Sequence, residues 1–138
     1  MASGTGPKAR ISVTLRVLAG SYAISRLAPD AAIPDWADGP GFVSIGRTAE
    51  ELSILCEAER VPFGIRSEPG WSGFRFVGPF AFGETGIAAA VLQPLADAGI
   101  GILLVSTFDT DHLFVKTEQA GRAAEALTAA GHVVAPGG

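Results

Sequence analysis

Residues 71 to 135 alternate strand-type and helix-type patterns, and their order restricts the fold more than any other feature of the sequence. The first element, residues 73–77, predicts a strand with two phenylalanines on one face, and a Gly-Pro break follows it. Apolar residues then recur at helical spacing, which predicts a helix that begins near Thr85 or Gly86 and closes at a glycine. Pro94 predicts a kink in this helix or its division into two turns.

The rest of this stretch predicts two strands, a second helix and a last short strand. Ile100 to Thr107 is apolar on both faces, as expected for a central strand, and an Asp-Thr turn leads to a further strand over 112–116. Thr117 is placed to cap the second helix, which buries an alanine and leucine face and ends at Gly131. Residues 132–135 predict the last strand.

The resulting order, β-α-β-β-α-β, is the ferredoxin-like plan, and it assigns the chain to the α+β class. In this plan both helices cover one face of a four-stranded antiparallel sheet. The other face of the sheet is apolar too. We therefore expect the first half of the chain, or a second subunit, to pack against it.

The first half of the chain predicts mostly β structure. Residues 11–18 and 22–27 alternate apolar and polar side chains on either side of an Ala-Gly-Ser turn, which predicts a hairpin. Two more short strands are predicted over 42–47 and 52–57, and a loop or a single helical turn is predicted near Trp36.

The predicted organisation has two halves between flexible ends. We expect a flexible N-terminus over 1–10, a first half over 11–67 and a complete second half over 71–135. The cluster of Ser67, Pro69 and Gly70 predicts a loop between the two halves.

Composition excludes several classes of protein and site. A net charge of −4 offers no electrostatic footprint for nucleic acid, and no segment approaches the length of a membrane span. The N-terminus lacks the apolar core of a signal peptide, so we expect a cytoplasmic protein. Charged residues make up only 17% of the chain, which suggests that a second copy covers apolar surface. Cys56 is the only cysteine and lies in an apolar run, so we expect a buried structural thiol.

Three motifs in the second half carry a resemblance to a known family. They are Phe82-x-Glu84-x-Gly86-Ile87, Pro94-Leu95-Ala96-x-Ala98-Gly99-Ile100 and Ser106-Thr107-Phe108-Asp109-Thr110-Asp111. The chain resembles the ACT domains, which bind amino acids and regulate enzymes or signalling, and most of all the tandem-ACT branch with the cytosolic arginine sensors and small stand-alone bacterial proteins. The resemblance covers residues 71–135 well, and implies a degenerate ACT-like module in the first half through Leu52 to Glu57 and Ile33-Pro34-x-Trp36.

The resemblance also implies a ligand site between two ACT modules. By position, Gly86 and Ile87 present backbone amides to the carboxylate of an amino acid, and Glu84 faces a cationic ligand side chain. The opposite wall would come from Gly101 and Ile102 of a second chain. The relatives often carry another acid where this chain has Gly83, so the resemblance leaves the ligand's side chain open. The predicted ligand-binding residues are Glu84, Thr85, Gly86, Ile87, Gly101, Ile102, Thr107, Phe108 and Asp111.

Four residues of these motifs also have a purely structural interpretation. Glu84 is a favourable acid for the first turn of a helix, and Gly86 is a favourable helix start. Asp109 and Asp111 are common turn formers that bond their own backbone.

No catalytic site, metal site or cofactor is predicted. Ser106, Asp109 and His112 are too close in sequence to converge around a substrate, and His112 and His132 lack further ligands to complete a metal site. Together with these absences, the resemblance implies a non-catalytic, homodimeric sensor that binds an amino acid at the interface. The alternatives are a ligand-free interaction module that uses the apolar sheet face and, third, a small enzyme with Glu84 or Asp111 as its base.

Overall fold

The computed structural model describes residues 11–81 and 84–137. Within them the strands are β1 Thr14–Val17, β2 Tyr22–Leu27, β3 Ser44–Arg47, β4 Leu52–Glu57, β5 Ser67–Phe76, β6 Ile102–Ser106, β7 Asp111–Lys116 and β8 Val133–Ala135. The helices are α1 Ile87–Asp97 and α2 Ala120–Ala129, with 3-10 turns at Asp35–Ala37, Ala58–Arg60 and Thr117–Gln119. The predictions for residues 1–10, Phe82, Gly83 and Gly138 lie outside the described residues.

β5 is the strand that both halves of the chain share. Along one of its edges, β2 pairs with the N-terminal part of β5 and β1 pairs with the C-terminal part. The Leu18 N–H donates to the Gly73 carbonyl over 2.9 Å and continues the ladder between them. Gly20, with a φ of 85°, lies in the irregular step that joins β1 to β2. The two strands therefore follow one another along one edge, and the predicted hairpin is wrong.

The predicted loop between the halves is also wrong, because Ser67 to Gly70 form the first part of β5. Gly70 has a φ of 84°, and the register between β2 and β5 shifts close to it. Proline and glycine inside a strand are typical of such bulges. The same residues that predict a loop in isolation thus produce an irregular strand.

The predicted β-α-β-β-α-β order of the second half is confirmed, but its sheet has an additional strand. The order is β8-β1-β5-β7-β6, since β1 lies between β5 and β8 and pairs with β8 in parallel. This part of the sheet is therefore mixed and has five strands instead of four antiparallel ones, and β2, β4 and β3 extend the same sheet to eight strands. Among the described residues β6 pairs only with β7, so the predicted central strand is an edge strand.

α1 continues through Pro94 as one helix, and the predicted division into two turns is wrong. Proline leaves the carbonyl four residues earlier without its intrahelical donor. That carbonyl belongs to Ala90, and the His132 Nε2 donates to it over 2.8 Å. The Val13 N–H donates to the other ring nitrogen, Nδ1, over 3.1 Å, which fixes the tautomer of the imidazole. Gly99 follows α1 with a φ of 73°, as predicted for a helix C-terminus.

α2 begins later than the sequence predicts. Thr117 opens a 3-10 turn and its hydroxyl bonds the Ser72 hydroxyl over 2.9 Å, while α2 itself starts at Ala120 after Gln119. Thr117 is therefore not the cap of this helix. Gly131 has a φ of 98° and ends the helix as predicted. No helix within the described residues combines the length and the apolar character that a membrane crossing requires.

Two cores lie on opposite parts of the sheet. The larger core packs both helices onto the second half of the sheet, and its buried residues are Val13, Leu15, Phe74, Phe76, Val91, Leu95, Ile100, Leu113, Val115, Ala123 and Leu127. The smaller core lies in the first half, and its buried residues are Ala37, Leu52, Ile54 and Cys56, with Trp36 packed against them. Cys56 is buried, as predicted, and burial raises the pKa of its thiol.

The second face of the sheet is covered by the first half of the chain, as predicted. Tyr22 meets the buried ring of Phe114 edge-on, with centroids 5.2 Å apart, and Phe42 lies 5.5 Å from the same ring. Gly73 leaves the space for this contact, since a Cβ there would lie 2.6 Å from the Phe114 ring and 2.7 Å from Leu18. We call this aromatic contact between the halves the seam.

Candidate functional site

A cavity of about 350 Å³ lies between the N-terminus of α1 and the turn that joins β6 to β7. Its lining residues are Phe80, Ala81, Glu84, Gly86, Ile87, Ala88, Ala89, Ser106, Thr107, Phe108, Asp109, Thr110 and Asp111. Six of the predicted ligand-binding residues are thus in one cavity: Glu84, Gly86, Ile87, Thr107, Phe108 and Asp111. The volume lies within the range of small-molecule sites.

The helix wall of this cavity is built from backbone. Gly86 precedes α1 in the left-handed conformation, with a φ of 82°, and no side chain caps the helix. The Gly86 carbonyl accepts the first helical bond from the Ala90 N–H over 2.9 Å. The N–H groups of the first helical turn have no partner within a helix, and they carry the positive end of its dipole. The cavity therefore has a wall suited to an anionic group.

Glu84 lines the same wall through a hydrogen-bonded turn. Its Oε1 accepts the Ala81 N–H over 2.7 Å, and its own N–H donates to the Ala81 carbonyl over 3.0 Å. This reciprocal pair fixes the carboxylate just before the helix. A carboxylate with one oxygen engaged retains acceptor capacity at the other.

The opposite wall is a turn closed by its own hydrogen bonds. The Thr107 N–H and hydroxyl both donate to the Thr110 carbonyl, over 2.8 and 3.1 Å. The Ser106 hydroxyl donates to the Asp111 carboxylate, which holds that side chain on the helix-facing side of the sheet. The Phe80 N–H donates to the Asp109 carbonyl over 2.9 Å and joins this turn to the segment after β5. The turn is therefore rigidly placed opposite α1.

Three predicted residues lie away from the cavity lining. Thr85 is exposed between Glu84 and Gly86 but does not line the cavity. Gly101 and Ile102 lie at the start of β6, whereas the cavity is at its end, near Ser106. Within one chain they cannot form the opposite wall, so their role in a neighbouring chain stays a prediction.

Some lining residues were not predicted from the sequence. Ala88 and Ala89 follow directly from the position of the helix start and could have been included. Phe80 and Ala81 carry no local pattern, since only the hydrogen bond to Asp109 brings them to the cavity.

The charged side chains among the described lining residues are all negative. Glu84, Asp109 and Asp111 contribute carboxylates, and no lysine, arginine or histidine within residues 11–81 and 84–137 lines the cavity. The helix N-terminus contributes positive potential. The cavity thus has one wall suited to an anion and another suited to a cation.

The two histidines serve structural roles away from the cavity. His112 faces the seam, where its ring stacks on Phe42 with centroids 4.2 Å apart. Burial, and then the nearby Arg75, lower the pKa of His112, while Asp111 opposes them. Both ring nitrogens of His132 are engaged by backbone. Within residues 11–81 and 84–137 no group of three His, Cys, Asp or Glu residues is placed to hold a metal.

Comparisons with protein-family models divide the chain into two parts. A model of the ACT domain matches residues 66–129, and a model described as an N-terminal domain matches residues 20–63. No curated protein sequence is detectably similar to the chain.

Solved structures extend the likeness over nearly the whole chain. A crystal structure of a protein from Agrobacterium tumefaciens is 52% identical, with a TM-score of 0.88, and the match covers 93% of this chain and 96% of that one. A protein of unknown function from Vibrio cholerae, described as a possible transport protein, is 25% identical over 86% of this chain and 90% of that one, with a TM-score of 0.71. The regulatory subunit of aspartate kinase from Thermus flavus shares the fold at 15% identity, with a TM-score of 0.58 and coverage of 89% and 99%.

Proposed function

Residues 66–129 match an ACT domain, and on that premise we propose that the chain is a non-catalytic regulatory protein that binds a free amino acid in the cavity between α1 and the β6–β7 turn. One observation carries the proposal. The cavity joins the uncapped helix start at Gly86 and Ile87 to the carboxylate of Asp111. An anionic group and a cationic group can therefore be bound on facing walls, as an amino-acid zwitterion requires.

The zwitterion has a defined orientation in this proposal. Its carboxylate accepts the N–H groups at the start of α1, where the helix dipole favours negative charge. Its ammonium group donates to Asp111, which the Ser106 hydroxyl already orients. The left-handed glycine at position 86 allows the ligand to approach the backbone closely.

The lining also favours some ligand side chains over others. Because Glu84, Asp109 and Asp111 are acidic and no cationic side chain of the described part of the chain lines the cavity, aspartate and glutamate would meet repulsion. We therefore expect a neutral or basic amino acid.

The proposed assembly is a homodimer with the ligand at the interface. Gly101 and Ile102 of a second chain would complete the cavity on the side away from α1. Ligand binding would then favour one assembly or one partner-binding state, which is the general mechanism of linkage.

The direct test is calorimetric titration of the folded protein with each of the twenty common amino acids. We expect saturable binding of at least one neutral or basic amino acid, and none of aspartate or glutamate. If no amino acid binds to the folded protein, the proposal is wrong.

A pair of glycine variants separates ligand contact from backbone strain. Gly86→Ala adds a Cβ at a φ of 82° on the cavity wall, 3.0 Å from the Ile11 side chain. Gly64→Ala adds the same group at a φ of 93° in open space. Left-handed backbone strain should therefore cost each variant about 1–2 kcal/mol of stability. We expect similar losses of stability but at least tenfold weaker ligand binding for Gly86→Ala alone. Equal ligand affinities in the two variants would mean that the ligand does not contact the helix wall at Gly86.

The contribution of a second chain is tested at Gly101. A Cβ at this position would meet no described atom within 4 Å outside the two neighbouring residues, so Gly101→Gln is expected to fold normally. If Gly101 of a neighbour forms the far wall, the variant loses ligand binding and its dimer weakens in light scattering. Unchanged affinity with an unchanged dimer would place the wall elsewhere.

The main alternative is a ligand-free interaction module that uses the apolar sheet face. Tyr22, Phe42 and Leu55 pack against that face at the seam, which leaves little of it for a partner. A protein captured stoichiometrically from native extract, together with no amino-acid binding, would favour this alternative. For the third possibility, a small enzyme, Glu84 and Asp111 would be the bases, but both accept hydrogen bonds from neighbouring groups.

A further inference from the structure

Two arginines face each other on the side of the sheet opposite the helices. The register of β1 and β5 places Arg16 directly across from Arg75, and the register of β5 and β7 places His112 next in the same row. The flanking Phe74 and Phe76 point into the helix-side core. Because side chains alternate along a strand, Arg75 and its row point to the other face.

Neither guanidinium forms an ion pair with a described residue. Among residues 11–81 and 84–137, the ion pairs within 4.0 Å join Arg26 to Glu51, Arg60 to Glu57 and Lys116 to Glu68. Arg16 donates only to the Pro136 carbonyl, over 3.4 Å, and no hydrogen bond of the Arg75 side chain occurs in the described residues. Like charges directly opposite each other destabilise a sheet. The pair therefore carries an unfavourable interaction that an external anion would relieve.

A second cavity, of about 330 Å³, adjoins Arg75. Its other lining residues are Gly78, Pro79, Thr107, Asp109 and Thr110. Three of these also line the proposed amino-acid cavity, so the β6–β7 turn separates the two spaces. Arg75 is the only cationic residue in the lining, and Asp109 is the only acidic one.

We propose that Arg16, Arg75 and this second cavity bind a phosphate monoester. A phosphoryl group carries about two negative charges and three acceptor oxygens, enough to engage both guanidinium forks at once. A single carboxylate has one charge and suits one fork. The Asp109 carboxylate repels the phosphoryl group but can accept a hydrogen bond from a hydroxyl on its organic substituent. The expected ligand is therefore a small hydroxylated phosphate ester.

The arginine pair is separate from the amino-acid site, although the two cavities share Thr107, Asp109 and Thr110. Arg16 and Arg75 lie on the opposite face of the sheet and do not line the first cavity. Loss of phosphate binding in a variant of either arginine therefore leaves amino-acid binding measurable in the same protein.

The test is an amide NMR titration of the whole protein at constant ionic strength with inorganic phosphate, ribose 5-phosphate and, separately, acetate. We expect saturable shifts around Arg75, Gly78 and Thr110 with both phosphates, tighter binding of the ester, and no saturation with acetate. Inorganic phosphate binding as tightly as the ester would overturn the assignment to an ester, and acetate binding as tightly would overturn the phosphoryl class.

Four variants assign the effect to the arginine pair. Arg75→Gln is expected to weaken phosphate binding at least tenfold and Arg16→Gln several-fold. Arg66→Gln removes the same charge from an exposed site elsewhere and should leave the affinity within twofold. Asp109→Asn should tighten inorganic phosphate by removing a repelling charge. If Arg75→Gln and Arg66→Gln weaken binding equally, the anion responds to net charge and the site does not exist.

A second readout uses the imidazole in the same row. Arg75 helps to hold the pKa of His112 below its ordinary value, so a bound phosphoryl group should raise it again. We expect this rise on addition of ribose 5-phosphate to the wild-type protein and its absence in Arg75→Lys, which keeps the charge but lacks the bidentate fork. A rise of equal size in Arg75→Lys would contradict recognition by the fork.

Discussion

The two halves of the molecule cover their apolar sheet faces in different ways. The second half uses α1 and α2, whose backbone groups are bonded within each helix. The first half uses the irregular segment between β2 and β3, which places Ala37 and Trp36 on the small core. Irregular backbone leaves carbonyls that a side chain must satisfy.

Arg60 supplies the missing donors in the first half. Its Nε donates to the Trp36 carbonyl over 3.2 Å, and its Nη1 donates to the Pro40 carbonyl over 2.7 Å and to Glu57 over 3.1 Å. One side chain thus holds the segment that replaces a helix. This difference accounts for the position of the candidate cavity, because both α-helices of the described residues lie in the second half and α1 supplies the N–H groups of a helix start.

The largest expected effect compares the two cores by the same substitution. Leu127 and Leu52 are both fully buried, in the second and first half respectively. Leu127→Ala and Leu52→Ala should each lower the free energy of unfolding by about 2–5 kcal/mol. Because β5 belongs to both halves, we expect one thermal transition in each variant.

Two resolved transitions in either variant would show that the halves unfold separately. The control is Ile33→Ala, because Ile33 is 53% exposed and its truncation should change stability by no more than about 0.5 kcal/mol.

A smaller effect tests a place in the second half where a side chain donates to a backbone carbonyl of a helix. His132→Ala removes the donor to the Ala90 carbonyl and the acceptor for the Val13 N–H, at a cost of about 1–3 kcal/mol for each group left unsatisfied. In a Pro94→Ala background, residue 94 regains an N–H that can bond Ala90 within the helix. The cost of His132→Ala should therefore be lower there by about 1 kcal/mol, as measured in a double-mutant cycle of chemical denaturation. Additive costs would mean that the histidine does not compensate for the proline.

Sequence patterns predicted the elements of the second half because its signals are local. Helical spacing and the glycines at 99 and 131 define both helices, and the match of an ACT-domain model agrees with motifs at the two ends of α1 and in the β6–β7 turn. Strand pairing, in contrast, could not be predicted from local signals. The Ala-Gly-Ser step after Val17 resembles a hairpin turn in sequence, and only the remote hydrogen bond from Leu18 to Gly73 makes it a step along one edge.

The position of β6 in the sheet also could not be predicted from its local pattern. Its two faces are apolar because Ile102 packs on the helix side while Leu103 and Val105 pack at the seam. A pattern of buried faces indicates burial but not pairing, so an edge strand that is covered on both faces looks central. In the candidate site, the residues at the helix start were accessible to sequence reasoning for the same local reason. Phe80 was not, because it reaches the cavity through a contact with Asp109.

The smallest expected effect concerns the seam, where the two halves meet at His112. This residue is buried with its ring stacked on Phe42, and burial and Arg75 lower its pKa while Asp111 opposes them. A folded-state pKa below the unfolded value of about 6.5 means that the unfolded chain binds the proton more tightly. The stabilisation is therefore present above pH 6.5 or so and is lost as the pH falls through the folded-state pKa.

Urea denaturation between pH 7.5 and pH 5 should accordingly show a decline in stability toward acid that His112→Phe reduces. The phenyl ring can keep the contact with Phe42 but cannot bind a proton, so the variant isolates titration from packing. Because the seam joins the two halves of the molecule, we expect both halves to unfold in one urea transition, whose midpoint falls toward acid pH. An unchanged acid slope in His112→Phe would assign the pH dependence to groups outside the seam, and a second transition at pH 5 would show that the aromatic contact alone holds the halves together.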